Sequence, residues 1–107
     1  MLNDYQEAIK RFVIYPGAGT GNKEALVYTA LEMTGEAGEY AEKIKKYVRD
    51  GVLEPQLVAA ELGDVLFAVA RAATELNMEL ADIATLNYNK LLSRQERGKL
   101  QGSGDTR

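Results

Sequence analysis

Apolar positions recur along this chain at intervals of three and four residues and nowhere in strict alternation, so the pattern predicts helices and no strands. Leu2, Tyr5, Ile9 and Phe12 mark a first helix over 2–13, with Asp4 near its start. Tyr15-Pro16-Gly17-Ala18-Gly19-Thr20-Gly21-Asn22 then interrupts the pattern. A proline followed by spaced glycines reads as a loop. No Gly-Lys-Ser/Thr follows it, so it is read as a connector rather than a phosphate-cradling loop. Asn22 can cap a second helix that runs to about Asp50 and stops at Gly51. Its apolar stripe is Leu26, Ala30, Met33, Ala37, Tyr40 or Ala41, Ile44 and Val48. Pro55 suits the first position of a third helix. That helix reaches about Leu76, with Val58, Leu62, Val65, Val69, Ala72 and Leu76 as its core stripe and Asn77 as a left-handed terminator. A fourth, from about Leu80 to Arg94, carries Ile83, Leu86 and Leu91. The segment Gly98–Arg107 has the glycine-rich, polar composition of a disordered tail.

Short turns between the helices make neighbours antiparallel. The expected fold is therefore all-α, a four-helix, bundle-like subunit forming a single domain over 1–107. The second helix would be about 40 Å long at 1.5 Å per residue. A compact domain of this length has a radius of gyration near ~13 Å. Such a helix overhangs its own domain unless it bends near its glycines or packs against another subunit. Completion by oligomerisation is expected for that reason.

Composition narrows the chemistry. The chain has no cysteine and no histidine, which removes disulfides, thiolate nucleophiles, Ser–His triads and nitrogen- or sulfur-ligated zinc. A metal would have to be held by oxygen, which favours Mg²⁺ or Mn²⁺. The net charge of −3 argues against a broad footprint for a nucleic acid polymer or a membrane surface. No apolar run is long enough to span a membrane. The first ten residues show no apolar segment behind a basic start, so no signal peptide and a cytoplasmic location are expected.

The candidate chemistry lies in two acidic pairs. Glu36 and Glu39 stand three apart on the second helix, and Glu61 and Asp64 do the same on the third. Residues with that spacing share a helix face. Gly35 and Gly38 precede Glu36 and Glu39, and Gly63 precedes Asp64. A glycine inside a helix costs about 1 kcal/mol relative to alanine, so their presence asks for a reason, such as close approach of a ligand or another backbone. If the helices are antiparallel, a modest offset brings the pairs face to face. Four converging carboxylates repel without a cation. Mg²⁺ takes one or two carboxylates, keeps waters and accepts phosphate oxygens, so a phosphate ester or anhydride is the natural substrate. Acidic residues on a helix are more often a solvated face, and glycines also suit a tight helix crossing. Basic residues follow each acidic set, Lys43, Lys45, Lys46 and Arg49 after the first, Lys90, Arg94, Arg97 and Lys99 after the second. Tyr28, Leu31, Tyr40 and Phe67 could enclose a base, although aromatic residues at helical spacing are more often core.

This pattern resembles the MazG family of nucleoside triphosphate pyrophosphohydrolases, within the all-α NTP pyrophosphatase superfamily. That superfamily carries Glu-Glu-x-x-Glu followed by Glu-x-x-Asp on the next helix. Here the first motif reads Gly35-Glu36-Ala37-Gly38-Glu39, with Gly35 in place of the leading glutamate, and the second reads Glu61-Leu62-Gly63-Asp64. Glu32 stands one turn earlier. The likeness continues in Glu42–Lys46, in Asn87–Arg94, in Arg97-Gly98-Lys99 and in Gly104–Arg107. The resemblance implies cleavage of a (deoxy)nucleoside triphosphate between the α and β phosphates, giving the monophosphate and pyrophosphate in nucleotide-pool cleaning. It implies Mg²⁺, or Mn²⁺ as substitute, on Glu36, Glu39, Glu61 and Asp64, which also form the catalytic set. It implies substrate binding by Lys43, Lys46, Asn87, Lys90 and Arg94, a tail ordered over a site, and a homodimer or homotetramer. Two alternatives stand beside it: a phosphoribosyl-ATP pyrophosphohydrolase using the same chemistry, and a non-enzymatic helical oligomerisation module.

Overall fold

The structure, a computed structural model, describes residues 1–107 as four α-helices: α1 (Leu2–Ala8), α2 (Lys23–Asp50), α3 (Pro55–Glu75) and α4 (Leu80–Glu96). The first helix is shorter than its apolar spacing suggests. It tightens into a 3₁₀ turn over Ile9–Phe12 before Val13 becomes extended. The other boundaries follow from local chemistry. Asn22 Oδ1 accepts the Ala25 N–H at 2.8 Å and caps α2. Gly51 takes φ 76° at the other end, where its N–H donates to Tyr47 O. Pro55 opens α3, and Asn77 closes it at φ 56°. The N–H groups of Asn77 and Met78 there reach Thr74 O and Ala73 O, satisfying carbonyls that the helix leaves free.

α2 and α3 pack along each other as a hairpin, which is the dominant contact of the fold. α2 runs unbroken for 28 residues, through Gly35 and Gly38. The core lies at one end only, where Ile9, Ala70 and Leu80 are buried beneath Tyr5, Phe67 and Val69. Gln6 clamps that end. Its Nε2 donates to Thr74 Oγ1 at 3.1 Å and Met78 O at 2.9 Å, and its Oε1 accepts the Leu80 N–H at 2.7 Å.

The faces that meet inside the hairpin match the apolar stripes only in part: Leu26, Met33, Tyr40 and Ile44 on α2 and Val58, Val65, Val69 and Ala72 on α3 are covered, and the rest of each stripe is not. On α2 the covered line runs through Ala25, Thr29, Glu32, Met33, Glu36, Tyr40 and Ile44, while Ala30, Ala37 and Val48 are exposed. On α3 it runs through Val58, Glu61, Val65, Ala68, Arg71 and Glu75, while Leu62 and Leu76 are about half exposed. Each helix is turned so that some of its acids look inward, Glu32 and Glu36 on α2 and Glu61 on α3, while Glu39, Asp64 and part of the leucine row stay exposed.

α4 leans on α1 and α3, with no comparable packing against α2. The four helices therefore do not close a bundle within one chain. The radius of gyration is 16.3 Å, with extents of 41 × 41 × 26 Å, well above the ~13 Å of a compact domain. The segment after α4 is ordered rather than loose. The Arg107 guanidinium donates to Lys99 O, Leu100 O and Gly104 O at 3.1, 2.9 and 2.8 Å. No helix is long and apolar enough to cross a membrane.

Candidate carboxylate centre

The α2–α3 hairpin brings the Glu36–Glu39 pair of α2 to Glu61 of α3. One carboxylate oxygen from each of Glu36, Glu39 and Glu61 lies within 4.8 Å of the others. Asp64 stands outside this trio, yet its charge acts on Glu36. Glu36 Oε2 and Glu61 Oε2 are shielded from solvent and have no hydrogen-bond partner. Burial, reinforced by the charges of Glu39, Asp64, Glu61 and Glu32, pushes the Glu36 carboxyl above its ordinary range. Carboxylate oxygens at this spacing could hold a hard, oxygen-loving divalent cation.

The glycines beside these acids are not explained inside the chain. A Cβ at Gly35, Gly38 or Gly63 would meet nothing within 4 Å. No helix crossing within one subunit uses that space.

The predicted cationic residues fall into two separate groups. Lys43 and Lys46 line a cleft of about 180 Å³ at the turn end of the hairpin, with Tyr47, Leu53 and Leu57. Lys90 and Arg94 converge elsewhere, on Asp105 of the tail. Lys90 Nζ lies 2.8 Å and Arg94 Nη2 3.2 Å from Asp105 Oδ1, and Arg94 also donates to the Asp105 carbonyl. Asn87 is exposed on α4. Of the candidate base-lining residues, Tyr28 stacks on Tyr15 at 4.8 Å between centroids and Phe67 packs on the core. Leu31 is exposed, and Tyr40 is half-buried in the hairpin.

A second polar cluster borders the site. Arg71 and Glu75, one turn apart on α3, are almost fully buried, as is Tyr15. Arg71 Nε donates to Tyr15 Oη at 3.2 Å, and Tyr15 Oη donates to Glu75. The N–H groups of Gly19 and Gly21 donate to the Glu75 carboxylate at 2.8 and 2.9 Å. The glycine loop does cradle an anion, and that anion is the chain's own Glu75. The signal for this cluster was present in the sequence as two opposite charges four apart in an otherwise apolar stretch of α3.

Comparison with known proteins bears on this centre. The sequence pattern of the MazG nucleotide pyrophosphohydrolase domain matches residues 26–98, the stretch that holds every one of these acidic and cationic candidates. The chain is also 46% identical over 109 residues to the Gene 37 protein of Mycobacterium phage L5, covering 96% of this chain and 96% of that protein. No solved structure matches.

Proposed function

The chain belongs to the MazG nucleotide pyrophosphohydrolase family, and on that footing we propose that it hydrolyses (deoxy)nucleoside triphosphates between the α and β phosphates. The products are the nucleoside monophosphate and pyrophosphate, and the role is nucleotide-pool cleaning in the cytoplasm. The observation that supports this reading is the convergence of Glu36, Glu39 and Glu61, with one oxygen of Glu36 and one of Glu61 buried and unpaired. Glu36, Glu39, Glu61 and Asp64 would hold Mg²⁺, with Mn²⁺ as substitute. When bound, the ion offsets the carboxylate charge and supplies Lewis acidity toward phosphate oxygens. Glu36 or Glu39 orients the attacking water and accepts its proton.

Lys43, Lys46, Asn87, Lys90 and Arg94 are assigned to the triphosphate, Lys43 and Lys46 from the hairpin and the others from α4. The two sets are apart in a single chain. The proposal therefore includes a homodimer or homotetramer in which α4 of one copy faces the hairpin of another, with residues 1–107 acting as one domain. Substrate binding then requires the Asp105 carboxylate to leave Lys90 and Arg94.

The test is pyrophosphate release from a panel of NTPs and dNTPs with Mg²⁺, comparing the wild type with Glu39→Gln and Asp64→Asn. Equal amounts of monophosphate and pyrophosphate are expected from the wild type, reduced at least ~100-fold in both variants. A folded wild type that is silent on the panel but cleaves phosphoribosyl-ATP would replace the substrate. Silence on both, with Mg²⁺ and with Mn²⁺, would leave a helical oligomerisation module.

A further inference from the structure

Glu32 makes no hydrogen bond or ion pair in this fold. It lies one turn before Glu36 on the covered face of α2 and is half-buried. Its Oε1 is shielded from solvent and has no hydrogen-bond partner. An unpaired buried carboxylate oxygen is costly, and a charged one more so. Two charges on α3 act on Glu32. Burial raises its carboxyl above the ordinary range, the Arg71 charge draws it back down, and the Asp64 charge raises it further.

Arg71 is the second observation, and an independent one. It is 2% exposed. Nε is used by Tyr15, and Nη2 lies 3.6 Å from Glu75. Nη1 is buried and has no partner. A glutamate serving only to neutralise Arg71 would close on that nitrogen, yet Arg71 pairs with Glu75. Both groups thus keep an unfilled valence where the acidic trio gives way to Arg71. Gly35, where the related motif carries its leading glutamate, opens to free space. The additional acid that the hairpin does turn inward is Glu32.

We infer that Glu32 is a fifth carboxylate of the cation centre, and that it binds a divalent cation through the cation's hydration water at the Arg71 end of the cluster. This rests on reading the cluster as a cation site, and it adds a residue that lies outside both acidic motifs.

The experiment is a Mn²⁺ titration of the full chain by calorimetry and by electron paramagnetic resonance, without nucleotide. Wild type, Glu32→Gln, Glu32→Asp and Glu42→Gln are compared. Glu42 is exposed and pairs with Lys45 at 3.0 Å, so its variant is the charge control. Glu32→Gln is expected to bind Mn²⁺ about tenfold more weakly, with unchanged helicity and no fall in metal-free melting temperature. Its Mn²⁺-induced rise in melting temperature should shrink accordingly. Glu42→Gln should match the wild type. If Glu32→Gln fails to fold, Glu32→Asp keeps the charge and should still weaken binding, because its shorter side chain withdraws from the site. Wild-type affinity in whichever Glu32 variant folds would overturn the inference while leaving the cation centre standing. A wild type that binds no Mn²⁺ would remove the centre itself.

Discussion

The carboxylate of Glu75 is buried at the base of the glycine loop, where it accepts the Tyr15 hydroxyl and the N–H groups of Gly19 and Gly21 beside Arg71. Burial alone would raise its affinity for a proton. The hydrogen bonds from Tyr15, Gly19 and Gly21, with the charge of Arg71, outweigh that and hold the carboxyl below its ordinary value. A group depressed on folding adds stability above the ordinary carboxylate range and loses it as pH falls through the folded value. Glu32 and Glu36 are raised on folding. Their contribution is present below the ordinary range and is lost as pH rises through their folded values. Glu75→Gln is expected to cost about 3 kcal/mol at pH 7, because it leaves Arg71 buried without its partner. The deficit should shrink as the pH is lowered below the ordinary carboxylate range, measured by urea unfolding across that interval. Gly21 is fixed by the same contact, since at φ +69° an added Cβ would lie 2.8 Å from Glu75 O. The loop was legible as punctuation in the sequence. Its ligand was not, because Tyr15 and Glu75 are 60 residues apart and meet only through the fold.

At the scale of the element, α2 shows what periodicity can and cannot decide. Its ends were readable because Asn22 and Gly51 act on neighbouring backbone, within one turn. Its inward face was readable only in part: Leu26, Met33, Tyr40 and Ile44 are covered as the stripe predicts, but alanine, glycine and threonine leave several rows of nearly equal apolar character. In the hairpin the row through Thr29, Glu32 and Glu36 faces α3, and Ala30 and Ala37 face solvent. Gly38 lies on the exposed side with open space beyond its Cα. Gly38→Ala should therefore stabilise the isolated subunit by about 0.5–1 kcal/mol, read from chemical denaturation at low protein concentration. The same substitution should lower pyrophosphate release, if that space is filled by a second copy in the working assembly. The second half of α3 carries the parallel lesson. Leu76 fits the apolar stripe but is 53% exposed, and the charged Glu75 beside it is buried, since Tyr15 and two loop amides satisfy its oxygens.

For the whole molecule the controlling fact is exposed apolar surface on helices that the single chain leaves uncovered. Leu31 on α2, Leu62 and Leu66 on α3, and Leu86 and Leu91 on α4 are each at least 40% exposed. In the proposed homodimer or homotetramer, a chain this small with its core at one end would gain stability by burying such rows against another copy. The double variant Leu62→Lys, Leu66→Lys should shift the protein to a smaller species by light scattering at micromolar concentration. Circular dichroism should show the helices retained, because both side chains point out of the hairpin. An unchanged mass would mean that these faces form no subunit interface.

The sequence alone was sufficient for the all-α class, the helix ends of α2, α3 and α4, the family resemblance and the acidic pairs. Each of these depends on residues within a turn of one another, or on motif order along the chain. The tertiary structure decided which rows of α2 and α3 meet, and so that Glu32 and Glu36 turn inward with Glu61. It also set Arg71 and Glu75 against the glycine loop and Asp105 against Lys90 and Arg94. These pairings join residues across the hairpin, between the glycine loop and α3, or across the turn after α4, and their partners are set by how whole helices pack. Local sequence carries no record of that arrangement until the side chains are packed.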